Sequence, residues 1–153
     1  MKLRIICALI AFFFTMKLSA QSDDGWFTNK ITTGINYNSN NCGVYVRYAY
    51  LFNFENHFSA GTQTGLVFSE QKMIPIEACL RIRPLGKKNI MPAFTLSGGY
   101  GANISKGVNG GGIWSPCLSI ETGYLRRVRY VTDVGVQFYK KEKYVVIALG
   151  IEL

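Results

Sequence analysis

Seven charged side chains carry what chemistry this sequence offers: Arg47, Glu77, Arg81, Arg83, Glu121, Arg129 and Asp133. Guanidinium and carboxylate groups in this mixture can do two things. They can line a polar path for a small solute, or they can pair with one another and fill a narrow space. No catalytic motif accompanies them. Hydrolysis or acyl transfer needs a base that activates a nucleophile, and the single His57 opens the third segment at the end away from the outer leaflet, with no catalytic partner apparent. No G-x-S-x-G, P-loop or zinc spacing occurs, and the glycines of VNGGGI (108–113) lack the strand and helix that would let them cradle phosphate. No catalytic residue, cofactor or metal site is expected. Beyond residue 20 the cysteines are Cys42, Cys79 and Cys117, an odd set that specifies no disulfide framework and suits small apolar fillers or free thiols.

The elements that must hold these charges follow a period of two. Apolar or Thr residues recur at alternate positions in KITTGINYN (30–38), VYVRYAYLFN (44–53), HFSAGTQTGLVF (57–68), MIPIEACLRIR (73–83) and IMPAFTLSGGYG (90–101). The pattern resumes in SPCLSIETGYL (115–125), VRYVTDVGVQFY (128–139) and the closing KYVVIALGIEL (143–153). Such alternation marks half-buried strands, and the short turns between them require antiparallel neighbours. Eight strands of this length can close into one barrel, which removes exposed edges. The predicted fold is all-β: a single antiparallel up-and-down barrel over 30–153. One domain is all that 153 residues allow.

Residues 1–20 are set apart. MKLR supplies positive charge, IICALIAFFFTM an apolar run too short to span a bilayer, and KLSA a small-residue exit. They read as an export signal cleaved after Ala20, leaving 21–29 as an amino-terminal segment before the barrel. Removing them takes away Lys2, Arg4 and Lys17 and no acid. The 17 basic residues thus become 14 against 9 acidic, a formal charge of +5. For an exported barrel that balance favours anionic lipid head groups over nucleic acid.

Which face looks outward decides the solvent. The apolar face, for instance Val145, Ile147, Leu149, Ile151 and Leu153 of the last strand, carries no Lys, Arg, Asp or Glu on any of the eight segments. The other face is rich in Gly, Ala and Ser and holds the seven charges. As a water-facing exterior it has too few Lys and Glu; as a narrow lumen it makes sense. Lipid would enforce the purity of the first face, because Lys or Arg at mid-bilayer costs about 2–4 kcal/mol. Aromatics gather near the strand ends (Tyr37, Phe52, Phe58, Phe68, Tyr100, Tyr124, Tyr130, Phe138), where interfacial girdles belong. Trp114 is expected as a further anchor and Trp26 as a cap on one end. With 48% hydrophobic and only 17% charged residues, the chain is a transmembrane barrel rather than a soluble one on this reading.

The segments together resemble the small outer-membrane β-barrels of Gram-negative bacteria, OmpA- and OmpX-like. The carriers are the terminal VVIALGIEL, similar to the carboxyl-terminal signal recognised by the outer-membrane insertion machinery, and IPIEACLRIRP with LSGGYG, similar to the fourth and fifth strands. The resemblance implies an outer-membrane location and a monomer with the last strand closing on the first. It also implies periplasmic turns at 54–56, 84–89 and 126–127, and external loops at 39–43, 69–72, 102–114 and 140–142. Lys72, Lys106, Lys140, Lys141 and Lys143 then lie outside, where lipopolysaccharide phosphates are possible contacts. The expected role is structural or surface interaction, with 102–114 as the contact loop and the lumen filled by its ionic network; Glu121 is expected to pair with one or more arginines. The alternative is a narrow channel for small solutes, and a lipid-modifying enzyme is disfavoured.

Overall fold

The computed structural model describes residues 26–54, 56–69, 72–85, 89–105, 109–123 and 128–153, with backbone alone at 124–125. The proposed export signal, Lys106, the 126–127 turn and the Tyr124 side chain lie outside the described residues. Eight strands run in chain order: β1 (Phe27–Tyr37), β2 (Cys42–Asn53), β3 (Phe58–Phe68) and β4 (Met73–Ile82), then β5 (Ile90–Asn103), β6 (Gly111–Leu125), β7 (Val128–Tyr139) and β8 (Glu142–Glu152). Each pairs antiparallel with the next, and β8 pairs with β1 to close the ring. One end carries the first and last strand termini, the "terminal end". The other carries the β1–β2, β3–β4, β5–β6 and β7–β8 connections, the "hairpin end".

The hairpins have local causes. Asn38 Oδ1 accepts from the backbone N–H of Asn40 (2.9 Å) and Asn41 (2.7 Å), a side-chain substitute for a backbone turn. The β7–β8 connection is a two-residue turn in which Lys140 adopts φ 54°, the left-handed region that two-residue hairpins demand. A bulge between Thr122 and Leu125 places Gly123 at φ 79° and turns it to the surface, so Gly123 is not the inward residue that alternation implied. Two stretches lacking bridge pairs coincide with prolines. Pro75, with Ile74, interrupts β3–β4 opposite Gly65 and Leu66, and Pro116, with Ser115, interrupts β6–β7 opposite Val136 and Gln137, both without loss of register. Proline has no N–H to give the ladder; the Pro75 carbonyl is taken up instead by Thr64 Oγ1 at 2.9 Å.

Several strand boundaries differ from expectation. β1 starts at Phe27, so 27–29 belong to the wall; Asn29 exchanges both backbone hydrogen bonds with Leu153 (3.0 and 2.8 Å). β5 runs on to Asn103 and β6 begins at Gly111, which contracts the predicted 102–114 loop to 104–110. The reason is that Tyr100 and Gly101 pair with Gly112 and Gly111, glycines that signal a loop by composition yet extend a strand when a partner lies alongside. Gly61 shows the reverse constraint: a Cβ there would strike the Tyr50 carbonyl oxygen, so the tightly coiled wall needs its absence.

Alternation sorts the side chains as the pattern indicated. Ile76 (62%), Leu118 (66%) and Leu149 (63%) are exposed on the outer wall, while Arg81 (1%) and Glu121 (0%) are buried within. One residue breaks the uncharged outer face. β8 starts at Glu142, one position before the predicted segment, and Lys143 points outward at the extreme hairpin-end rim, where a long side chain reaches beyond the wall.

Candidate functional site

The interior divides into two parts. At the terminal end four charged groups interlock. Glu121 and Glu152 lie between Arg81 and Arg83: Arg81 Nη1 sits 3.1 Å from Glu121 Oε1 and 2.5 Å from Glu152 Oε2. Arg83 reaches Glu121 Oε2 through Nε (3.2 Å) and Glu152 Oε1 through Nη2 (3.0 Å), and its Nη1 donates to Ser59 Oγ at 2.8 Å. Arg129 Nη1 stands 3.9 Å from both carboxylates. Two rigid guanidinium forks thus share two acceptor-only carboxylates, the geometry for which Arg is suited.

Two smaller groups stand beside this layer. Lys30 Nζ donates to both oxygens of Asp133 (2.8 and 2.7 Å), and Ser119 Oγ completes that carboxylate at 2.6 Å. Glu77 Oε2 accepts from Ser97 Oγ (2.6 Å) and Gln63 Nε2 (3.0 Å), while its other oxygen stands 3.8 Å from Arg47 Nη2. Arg47 Nη2 instead donates to Gln137 Oε1 at 2.5 Å, and the guanidinium lies 4.8 Å from the centre of the Tyr45 ring.

Tyr45 begins the second part. At the hairpin end it packs with Val67, Met73, Ile113, Tyr139, Tyr144, Val146 and Ala148 in a buried apolar cluster. Together they plug the end of the barrel that the connections cover. Between plug and ionic layer there is an internal cavity of only about 20 Å³, room for one small guest.

All seven residues singled out by sequence therefore face the interior, and Glu121 meets Arg81 and Arg83 as expected. Sequence reasoning omitted two charged members. Lys30 opens the predicted first segment and alternation already set it on the inward face, while Glu152 sits inside the terminal segment, where its surroundings suggested a strand-pairing signal. Their inward parity was the available clue. Also missed was the apolar plug, because Tyr45, Val67, Met73, Ile113 and Tyr139 occupy the face otherwise made of small and polar residues.

The surface residues separate. Lys140 Nζ donates to the Asn109 carbonyl at 2.6 Å and so ties the β7–β8 turn to the β5–β6 loop. Lys143 lies 5.9 Å from the Phe138 ring centre, and Phe138 stacks on Trp114 with centroids 4.4 Å apart. Lys72 and Lys141 are exposed. Trp26 does not cap the barrel end. It lies on the outer wall, 70% exposed, 5.8 Å from the Phe52 ring, which also meets Phe27 (5.2 Å) and Phe54 (4.9 Å). His57 Nδ1 stands 3.0 Å from the Arg83 carbonyl oxygen, and its own carbonyl accepts from Arg83 N at 2.7 Å, a tether between the β2–β3 turn and the end of β4. Cys79 and Cys117 are buried free thiols facing the cavity, and Cys42 is exposed.

Fold and interior define a closed eight-stranded up-and-down barrel with an apolar wall and an ionic core. No protein-family model and no curated protein matches the chain. Among solved structures, a chain from "De novo design of transmembrane beta-barrels" is similar, with a TM-score of 0.54 and 8% identity, over 82% of this chain and 95% of that one. At that identity the likeness is one of fold.

Proposed function

We propose that this chain is an integral outer-membrane β-barrel of the OmpA- and OmpX-like kind, exported by residues 1–20 and serving a structural or surface-interaction role without catalysis. The observation that carries the membrane placement is the wall itself. Its outward side chains on all eight strands are uncharged up to Lys143 at the rim, while the charged strand residues other than Glu142 and Lys143 at that rim gather inside. Water would reward the opposite arrangement. An 11-residue strand such as β8, tilted by about 40°, rises roughly 28 Å, which matches an apolar band of about 25 Å. Aromatics flank that band, with Trp26, Phe52 and Phe54 at the terminal end and Tyr37, Trp114 and Phe138 at the hairpin end. Such rings favour the head-group level of a membrane.

On this reading the hairpin end faces outward, the 104–110 loop is the contact surface, and Lys72, Lys141 and Lys143, with Lys106 and the loop-tied Lys140, meet lipopolysaccharide phosphates. β8 is the strand presented to the insertion machinery, and the barrel works as a monomer that takes no nucleic acid. The ionic layer, plug and small cavity favour a filled lumen over a channel.

Fractionation with the outer membrane, and slower or faster gel migration of the unboiled sample, are expected. Purified barrel in planar bilayers should give no reproducible current steps, and incubation with labelled lipid A should leave its acyl chains unchanged. A protein that stays dissolved without detergent sinks the membrane placement. Steady single-channel steps sink the filled lumen.

A further inference from the structure

The cavity between ionic layer and plug has a lining in which cations outnumber carboxylates. Three cations border it, Lys30, Arg47 and Arg81, against one carboxylate, Asp133. Lys30 and Asp133 are spent on each other. The interior as a whole repeats the imbalance: among the described residues the buried cations are Lys30, Arg47, Arg81, Arg83 and Arg129, and the buried carboxylates are Glu77, Glu121, Asp133 and Glu152. Among these described residues the cations exceed the carboxylates by one. Arg47 is the natural place for the excess, since its carboxylate contact is 3.8 Å long and its short hydrogen bond goes to a neutral amide.

The orphan polar atoms agree. Four side-chain atoms of the lining residues are buried without a hydrogen-bond partner: Arg47 Nε, Arg81 Nε, Thr95 Oγ1 and Ser115 Oγ. Both guanidinium nitrogens can only donate, and both hydroxyls can rotate to donate. The interior's carboxylate oxygens without a hydrogen bond, Glu77 Oε1 and Glu121 Oε1, each face a guanidinium and belong to residues outside the lining. A buried charge is costly unless it is paired and hydrogen-bonded, and an anion in this cavity would give the lining donors both. At about 20 Å³ the space is sized for a single small species.

We propose that this cavity binds one small monovalent anion of halide size, held by Arg47 Nε, Arg81 Nε, Thr95 Oγ1 and Ser115 Oγ. The ion neutralises the surplus interior charge at the junction of the two halves. The proposal rests on interior geometry and is independent of where the barrel resides or what its loops contact.

The test uses bromide as probe. The full chain is refolded from denaturant into detergent in sodium bromide or in sodium sulfate of equal ionic strength, so that no ion need cross the finished wall. Crystals from bromide should show a bromine anomalous peak inside the barrel beside Arg47 and Ser115. The melting temperature in bromide minus that in sulfate should be higher by a few degrees for the native chain than for a Thr95→Val, Ser115→Ala double variant, because a ligand that binds only the folded state stabilises it. General salt effects act on both proteins and cancel in that difference. Arg47→Gln should abolish the peak; where that variant does not fold, the native bromide crystal alone decides. Density for water only at this place, or equal bromide-minus-sulfate differences in native and double-variant protein, overturns the proposal.

Discussion

At the terminal end Glu121 and Glu152 are shared between Arg81 and Arg83, whereas at the hairpin end Tyr45, Val67, Met73, Ile113 and Tyr139 pack against Tyr144 and Val146. The same wall encloses both, yet they respond to damage by different rules. An ionic layer tolerates no change of charge, because removing one member strands another in a medium that cannot solvate it. Its net worth against a well-packed apolar filling is nevertheless near zero. An apolar plug is indifferent to which hydrocarbon fills it and sensitive to how much. Partner choice is therefore specified at the terminal end and volume at the hairpin end.

The largest effect should come from Glu121→Gln, which keeps the shape and deletes the charge. It leaves Arg81 and Arg83 undercompensated and should cost about 3–5 kcal/mol, read from denaturant unfolding in detergent. An unchanged midpoint would remove the idea of a charge-specified layer. Met73→Ala in the plug follows at about 2–5 kcal/mol, since Met73 is 1% exposed and the space cannot fully collapse; a loss below half a kilocalorie would show that the plug is loosely packed. Outside the comparison but on the same scale, Leu149→Lys at the middle of the wall should cost about 2–4 kcal/mol when the barrel is folded into bilayers. No loss there would mean that hydrocarbon does not surround the wall. Smallest is Met73→Leu, expected to cost less than about 1.5 kcal/mol because volume is conserved. Together with Glu121→Gln it forms the sharpest contrast: two near-isosteric changes, one severe and one mild, and equal losses would erase the distinction between the halves.

The transmembrane reading and the anion site draw on separate surfaces of the same strands. Ile76 and Leu80 face out from β4 while Glu77, Cys79 and Arg81 face in, so each strand contributes to both. A one-residue slip in register would carry charge into the wall and grease into the lumen. The ladder gaps at Pro75 and Pro116 do not produce such a slip, because β3–β4 and β6–β7 resume the same register on either side.

Strand number, order and facing were legible in the residues themselves, because a side-chain period of two is a property of the extended backbone and needs no partner. Val145, Ile147 and Leu149 could be assigned to one face before any neighbour was known. The seven interior charges were legible for the same reason. What the tertiary structure alone decided is who meets whom: Arg81 reaches Glu152 across 71 positions of sequence, and Lys30 reaches Asp133 across 103. Those distances close only when β8 returns to β1, so no local rule contains them. The same closure converts the glycines at 101 and 111–112 from apparent loop into paired strand, and gathers Tyr45, Val67 and Met73 with Tyr139 and Tyr144 into a plug. Alternation dictates the direction in which a side chain points; only the curvature and stagger of a closed sheet dictate what it finds there.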